Sequence, residues 1–203
     1  NHRGEMGPLS PFVRPHAACV TTVGPVHIEA FADGEAGVAR EKAAIFQGLV
    51  PGGIAVVNAA DAHADIVRQG ALDAGATLRT FGHDAGCDAR LLVFTPDSEG
   101  ASVVAELDGQ RIEYRLAQSG VHWGLNSLCV ILMLQALDVS LDTALQALAG
   151  FQPLAGRGQM KTVPIPGFTL KRTALNAVMA ASSVRGSDPT AIGAPVRVTI
   201  MCR

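Results

Sequence analysis

Charge of one sign is what this chain of 203 residues lacks most plainly: sixteen Lys and Arg stand against eighteen Asp and Glu, a formal net of -2. No global basic field exists to hold a nucleic acid or an anionic membrane, so any anionic ligand must be met locally. Cysteine is sparse and scattered: Cys19, Cys87, Cys129 and Cys202 stand singly. The absence of a C-x-x-C pair and of His at zinc-finger spacing argues against a disulfide framework and a structural zinc, and reduced thiols of a cytoplasmic protein are expected. Long apolar runs are missing too. The most apolar stretch, Leu125 to Leu137, is interrupted by Asn126 and Gln135 and falls short of the ~18 residues a membrane span needs, so it reads as a buried helix. No charged and then apolar leader opens the chain, and its start, without Met, is expected to be an internal point of a longer protein. Finally, no G-x-x-x-x-G-K-S/T occurs, so the loop that usually cradles nucleotide phosphates is absent from these residues.

What is present is a globular composition, 48% hydrophobic and 17% charged, with strong alternation of elements. Ala17 to Thr22 is a short β-branched run closed by Gly24 and Pro25, the pattern of a buried parallel strand. From Gly34 to Leu49 apolar residues recur at helical spacing (Val38, Ile45, Phe46, Leu49) until Pro51-Gly52-Gly53, and a second strand is predicted over Ile54 to Asn58. A helix over Ala62 to Ala74 and a strand over Thr77 to Phe81 complete a strand-helix alternation that predicts an open, mostly parallel α/β sheet.

The pattern changes at Arg90. Arg90 to Thr95, Ser102 to Leu107 and Arg111 to Leu116, separated by Pro96-Asp97-Ser98-Glu99-Gly100 and by Asp108-Gly109, predict a small antiparallel meander. Helices follow over Trp123 to Leu137 and Ser140 to Ala149, with a boundary expected near Phe151 to Gly156. Residues 171–203 hold five of the basic residues and only one acid, so this tail carries +4 and the first 170 residues -6. The basic residues are dispersed and unaccompanied by aromatics, which argues against a nucleic-acid arm.

Five residues could carry chemistry. Lys42 continues the series Val38, Lys42, Ile45, Leu49 and so puts an ammonium on the helix face that should be buried. Two readings stand: a lysine that snorkels or pairs with Glu41 or a distant carboxylate, or one that is modified or faces a ligand. His27 follows the first strand, at the end of a sheet where ligands gather, and could bind a metal with Glu29 in support, or could be a solvated loop histidine. His122 and Asn126, four apart at a helix start, share a face suited to a polar ligand, or serve as caps. Arg157, after Gly156, offers a guanidinium to a ribose or phosphate, or lies in a surface turn.

Taken in order, NHRGEMGPLSPFVRPHAACVTTVGPVHIEAF, GVAREKAAIFQGL, AVVNAADA, GVHWGLNSLCV and LAGRGQ resemble the Mur ligase family over about residues 1–170. The likeness leans to the branch that joins D-alanyl-D-alanine to UDP-N-acetylmuramoyl-tripeptide. It implies a central ATP-binding domain over 1–152, lacking its phosphate loop, and the start of a C-terminal Rossmann-like domain over 153–203. By resemblance, His27 falls on a metal-ligand histidine and Lys42 on a carbamylated, metal-bridging lysine. His122 and Asn126 fall on residues at the adenine and Arg157 on one at the ribose, while Trp123 replaces the more usual Asn.

ATP and magnesium are the implied cofactors. The implied reaction is amide formation through an acyl phosphate by a cytoplasmic, monomeric enzyme of cell-wall synthesis, with neither nucleic acid nor membrane as partner. This portion is expected to be inactive alone. Related ligases, of the folylpolyglutamate and cyanophycin type, and a non-catalytic remnant that binds nucleotide weakly are the rival readings. After GFTL the family's acidic segment is replaced by KRTALNAVM, with Arg172 and Thr173 where carboxylates are usual and only Asn176 and Ala177 in register. A shifted, chimeric or truncated reading frame is therefore expected from about Lys171.

Overall fold

All four residues of the first strand, β1 (Ala17–Val20), are buried, as a short apolar run predicts for a strand covered on both faces. The computed structural model describes residues 3–151 and the backbone of 160–165, 168–173, 180–184 and 196–201. Parallel to β1 lie β2 (Ile54–Asn58) and then β3 (Thr77–Gly82), joined through helices α2 (Glu35–Ala43) and α3 (Ala64–Asp73). Strand β4 (Ala89–Asp97) pairs with β3 only at Ala89 and Arg90 and runs on past it into an antiparallel meander with β5 (Gly100–Leu107) and β6 (Gln110–Leu116). Asp108 and Gly109 both take positive φ, 50° and 80°, as the predicted tight turn requires. Helices α4 (Val121–Gln135) and α5 (Leu141–Ala149) follow, the second capped by the Ser140 hydroxyl on the Thr143 amide.

The predicted α/β architecture thus stands, and the alternation of β1 and β2 explains its layers. Ala17, Cys19, Val56 and Phe81 face α4, α5 and the inner side of the meander. Ala18, Val20, Ala55 and Val57 face α2, α3 and the segment around Ile45 and Phe46. Among the largest fully buried side chains, Phe81, Leu128, Ile131 and Leu132 serve the first layer and Ile45 and Phe46 the second. Each contributes about 1.5–3 kcal/mol of burial. Across the first layer the Tyr114 hydroxyl donates to Ser127 Oγ at 2.6 Å while Ser127 donates to the Gly124 carbonyl, and burial pushes the phenol up to about 12.

Two local differences from the sequence reading have physical causes. The helix expected over Gly34 to Leu49 ends at Ala43 and tightens into a 3-10 turn over Ala44–Gly48, which turns Ile45 and Phe46 fully inward. Before β1 stands an unexpected helix, α1 (Met6–Val13), despite Pro11 within it. Tertiary contacts hold it: Glu41 of α2 accepts the Gly4 and Met6 amides, both at 2.7 Å, and buried Ser10 bonds to the Ile45 carbonyl and the Gly48 amide.

The expected boundary around 151–156 falls mostly outside the described residues. Beyond it, β7 (Met160–Ile165) and β8 (Phe168–Thr173) form a separate antiparallel pair. Strand β10 (Val196–Met201) pairs parallel with the free edge of β1, and β9 (Ala180–Val184) lies antiparallel outside it.

Candidate functional site at the carboxyl edge of the sheet

Where parallel strands end, their last peptide groups lack neighbours in the ladder, and side chains must satisfy them. At the ends of β1 and β2 this is done by one continuous network. Asn58, the last residue of β2, donates to the Thr21 carbonyl at 2.8 Å and accepts the Ala60 amide at 2.9 Å. Asp61 accepts the Val23 amide at 2.7 Å and the Thr22 hydroxyl at 3.1 Å on one oxygen, and the His63 amide at 2.9 Å on the other. Lys42, in the last turn of α2, donates from Nζ to the Thr22 carbonyl at 2.7 Å. In the first turn of the same helix Glu35 meets His63 Nε2 at 3.0 Å.

Lys42 is half-buried, and its ammonium reaches the strand end rather than Glu41. Of the partners weighed for it, Glu41 instead accepts the Gly4 and Met6 amides at the start of α1, one on each oxygen. His27 sits in the loop that follows β1, on a left-handed backbone (φ 62°), with its side chain 41% exposed and Nδ1 3.7 Å from Glu29.

Magnesium takes mostly oxygen ligands in near-octahedral geometry. A lysine ammonium is a donor and cannot ligate, and among the described residues no group of three or more His, Cys, Asp or Glu side chains could hold a metal ion. The unmodified side chains here do not fit the ion.

The second group of candidates lies at the start of α4. Gly124 packs so closely on Leu91 and Phe94 of β4 that an added Cβ would come within 2.8 Å of the Phe94 ring. Phe94 stands four residues past the last β3–β4 pairing. The α4 N-terminus is thereby held beyond the strand ends, at the same edge as Lys42 but on the opposite face. There the exposed His122 ring leans on Trp123 at 5.4 Å, and Trp123 on Phe151 at 6.3 Å. The buried Gln118 fixes that corner by donating to the Phe151 carbonyl at 2.9 Å. Gly120, with no side chain, is the N-cap, so neither His122 nor Asn126 is the capping residue. Asn126, half-buried, keeps its amide free of hydrogen bonds to the described residues. Arg157 lies outside the described residues.

Reading the sequence missed Thr22, Asn58 and Asp61. For Asn58 and Asp61 the signal was the N-A-A-D run that begins on the last residue of the predicted strand, where Asn and Asp side chains bond to nearby backbone; Thr22 carries no such signal.

A family model described as the Mur ligase middle domain matches residues 1–134. The UDP-N-acetylmuramate--L-alanine ligase of Saccharopolyspora erythraea is 31% identical over 153 residues, which are 72% of this chain and 30% of that protein. The UDP-N-acetylmuramoyl-tripeptide--D-alanyl-D-alanine ligase of Escherichia coli is 28% identical over 157 residues, 77% of this chain and 34% of its own. Among solved structures, the UDP-N-acetylmuramoylalanyl-D-glutamyl-2,6-diaminopimelate--D-alanyl-D-alanyl ligase of Acinetobacter baumannii superposes with a TM-score of 0.69 at 26% identity, over 79% of this chain and 34% of that one. The chain thus spans about a third of the length of the relatives it matches.

Proposed function

The chain belongs to the Mur ligase family through its middle domain, and on that premise we propose that it is the nucleotide-binding centre of a longer, cytoplasmic ATP-dependent ligase that forms an amide bond on a UDP-muramoyl acceptor. The observation that carries this reading is the placement of two polar groups, Lys42 on one face and His122 with Asn126 on the other, at the single edge where the strands end. In the proposed reaction the acceptor carboxylate attacks the γ-phosphorus of ATP and ADP leaves. The incoming amine then attacks the acyl carbon and phosphate departs with the C–O bond broken.

The roles proposed for this chain's residues are binding and orientation. His122, Trp123 and Asn126 form the floor under the base, the rings offering faces and the free amide a donor and an acceptor. Arg157 is proposed at the ribose. Lys42 is proposed to take up carbon dioxide as a carbamate, the Nζ–C bond forming as a C–O π bond opens and the former ammonium gives up two protons; the remaining N–H would keep the Thr22 contact, and the carbamate, with His27, would offer a magnesium ion donors that the unmodified side chains lack.

For the acceptor and amine, UDP-N-acetylmuramoyl-tripeptide and D-alanyl-D-alanine are favoured by the ordered motifs and by the likeness to the Acinetobacter baumannii ligase. Joining of L-alanine to UDP-N-acetylmuramate is the second reading, favoured by the 31% identity to the Saccharopolyspora erythraea protein. The test is phosphate release from ATP by the longer polypeptide that contains this chain, with each acceptor–amine pair in turn. Release with the tripeptide and D-alanyl-D-alanine is expected. Release only with UDP-N-acetylmuramate and L-alanine would establish the second reading, and release with neither pair would overturn the proposal.

A further inference from the structure

The carbonyl that receives Lys42 belongs to a peptide unit gripped from its other edge. Thr22 C=O and Val23 N–H are the two polar groups of one planar unit, and in a trans peptide they point in opposite directions. Lys42 Nζ lies 2.7 Å from the carbonyl oxygen and Asp61 Oδ2 2.7 Å from the amide nitrogen. The Thr22 hydroxyl, a second donor to that Asp61 oxygen at 3.1 Å, leaves the unit little freedom to rotate.

We propose that Asp61 is a positioning residue for Lys42, acting through the Thr22–Val23 peptide. The inference rests on the reading of Lys42 as the functional lysine of this edge, but its physical content is a set of contacts that needs no ligand.

Three arguments support it. A carboxylate on the amide side of a peptide polarises the unit, so the carbonyl opposite becomes a better acceptor for Lys42. The second Asp61 oxygen holds the His63 amide at 2.9 Å, and His63 reaches Glu35 in the first turn of α2. One carboxylate is thereby linked to both ends of the helix that carries Lys42, which lie about 10 Å apart at 1.5 Å per residue. Finally, the Thr22–Val23 unit starts the loop that bears His27, so fixing it also fixes the direction in which that loop leaves the strand.

The competing role for Asp61 is a local one, satisfying the backbone at the entry to α3, and it would not reach Lys42. The chain's only lysines are Lys42, Lys161 and Lys171, which allows the two roles to be separated by trace acetylation of the folded chain with acetic anhydride. Peptide mass spectrometry then gives the labelling of Lys42 relative to Lys161. Asp61→Ala is expected to raise this ratio about fivefold, the factor that corresponds to one net hydrogen bond lost. Asp61→Asn, which keeps the shape but offers one acceptor oxygen and no charge, is expected to raise it less. Asp97→Ala, which removes an exposed ion pair with Arg115 on the meander, is expected to leave it unchanged. A ratio equal to wild type in a folded Asp61→Ala chain would overturn the proposal, and should that variant not fold, an unchanged ratio in Asp61→Asn would do the same. Absence of ligase activity, or of a carbamate on Lys42, would sink the functional reading and leave these ratios standing.

Discussion

Lys42 shows what one side chain can reveal in a sequence and what it conceals. Its place on an apolar helix face was legible from spacing alone, because an ammonium there conflicts with the residues around it. Its anchor was not, since Thr22 lies twenty positions away and accepts through its backbone, which has no residue-specific signature. Glu41, the neighbour that spacing offered as partner, is spent on α1. A carbamate reading makes a definite claim at this scale. In the proposed longer ligase, Lys42→Ala should lower turnover by at least about a hundredfold, the scale of a lost electrostatic contact at a reacting centre, and a short carboxylic acid added in solution should restore a measurable part of it. Turnover that stays near the wild-type rate in Lys42→Ala would show that the side chain is structural. His27, by contrast, remains a loop histidine in its contacts, 3.7 Å from Glu29 and partly exposed.

At the scale of elements, the contact between α1 and the 3-10 turn is the part that the sequence hid. A helix containing Gly7, Pro8 and Pro11 has poor intrinsic propensity, and it exists here because Glu41 satisfies its first amides and Ser10 pins it to the turn. Gly48 is the other half of that contact: a Cβ there would lie 2.2 Å from the Ser10 carbonyl. Gly48→Ala should therefore cost about 3 kcal/mol through overpacking, read as a lowered midpoint in urea. A loss below about 0.5 kcal/mol, the level of an ordinary surface change, would mean that α1 does not pack as described. The meander and α5 were legible for the opposite reason. Their signals, Asp108-Gly109 and the Ser140 cap, are local and need no tertiary partner.

For the whole molecule, the alternation of strands and helices was enough to predict the α/β class, because each layer is written as a period in the sequence. What no period encodes is that Lys42 and His122 approach one edge from opposite faces. That follows from β4 overrunning β3 and from Gly124 seating α4 against the overrun. The central claim is that this shared edge is the nucleotide site, and the most direct measurement is an ADP titration of the chain followed by NMR on labelled histidine, asparagine and tryptophan. The chain has a single tryptophan, Trp123, so its indole signal needs no assignment. The account predicts that the Trp123 indole, the His122 ring and the Asn126 side-chain amide shift together along one saturating curve, and that Asn126→Ala weakens that curve. Shifts confined to other residues, or no shift at millimolar ADP, would contradict it.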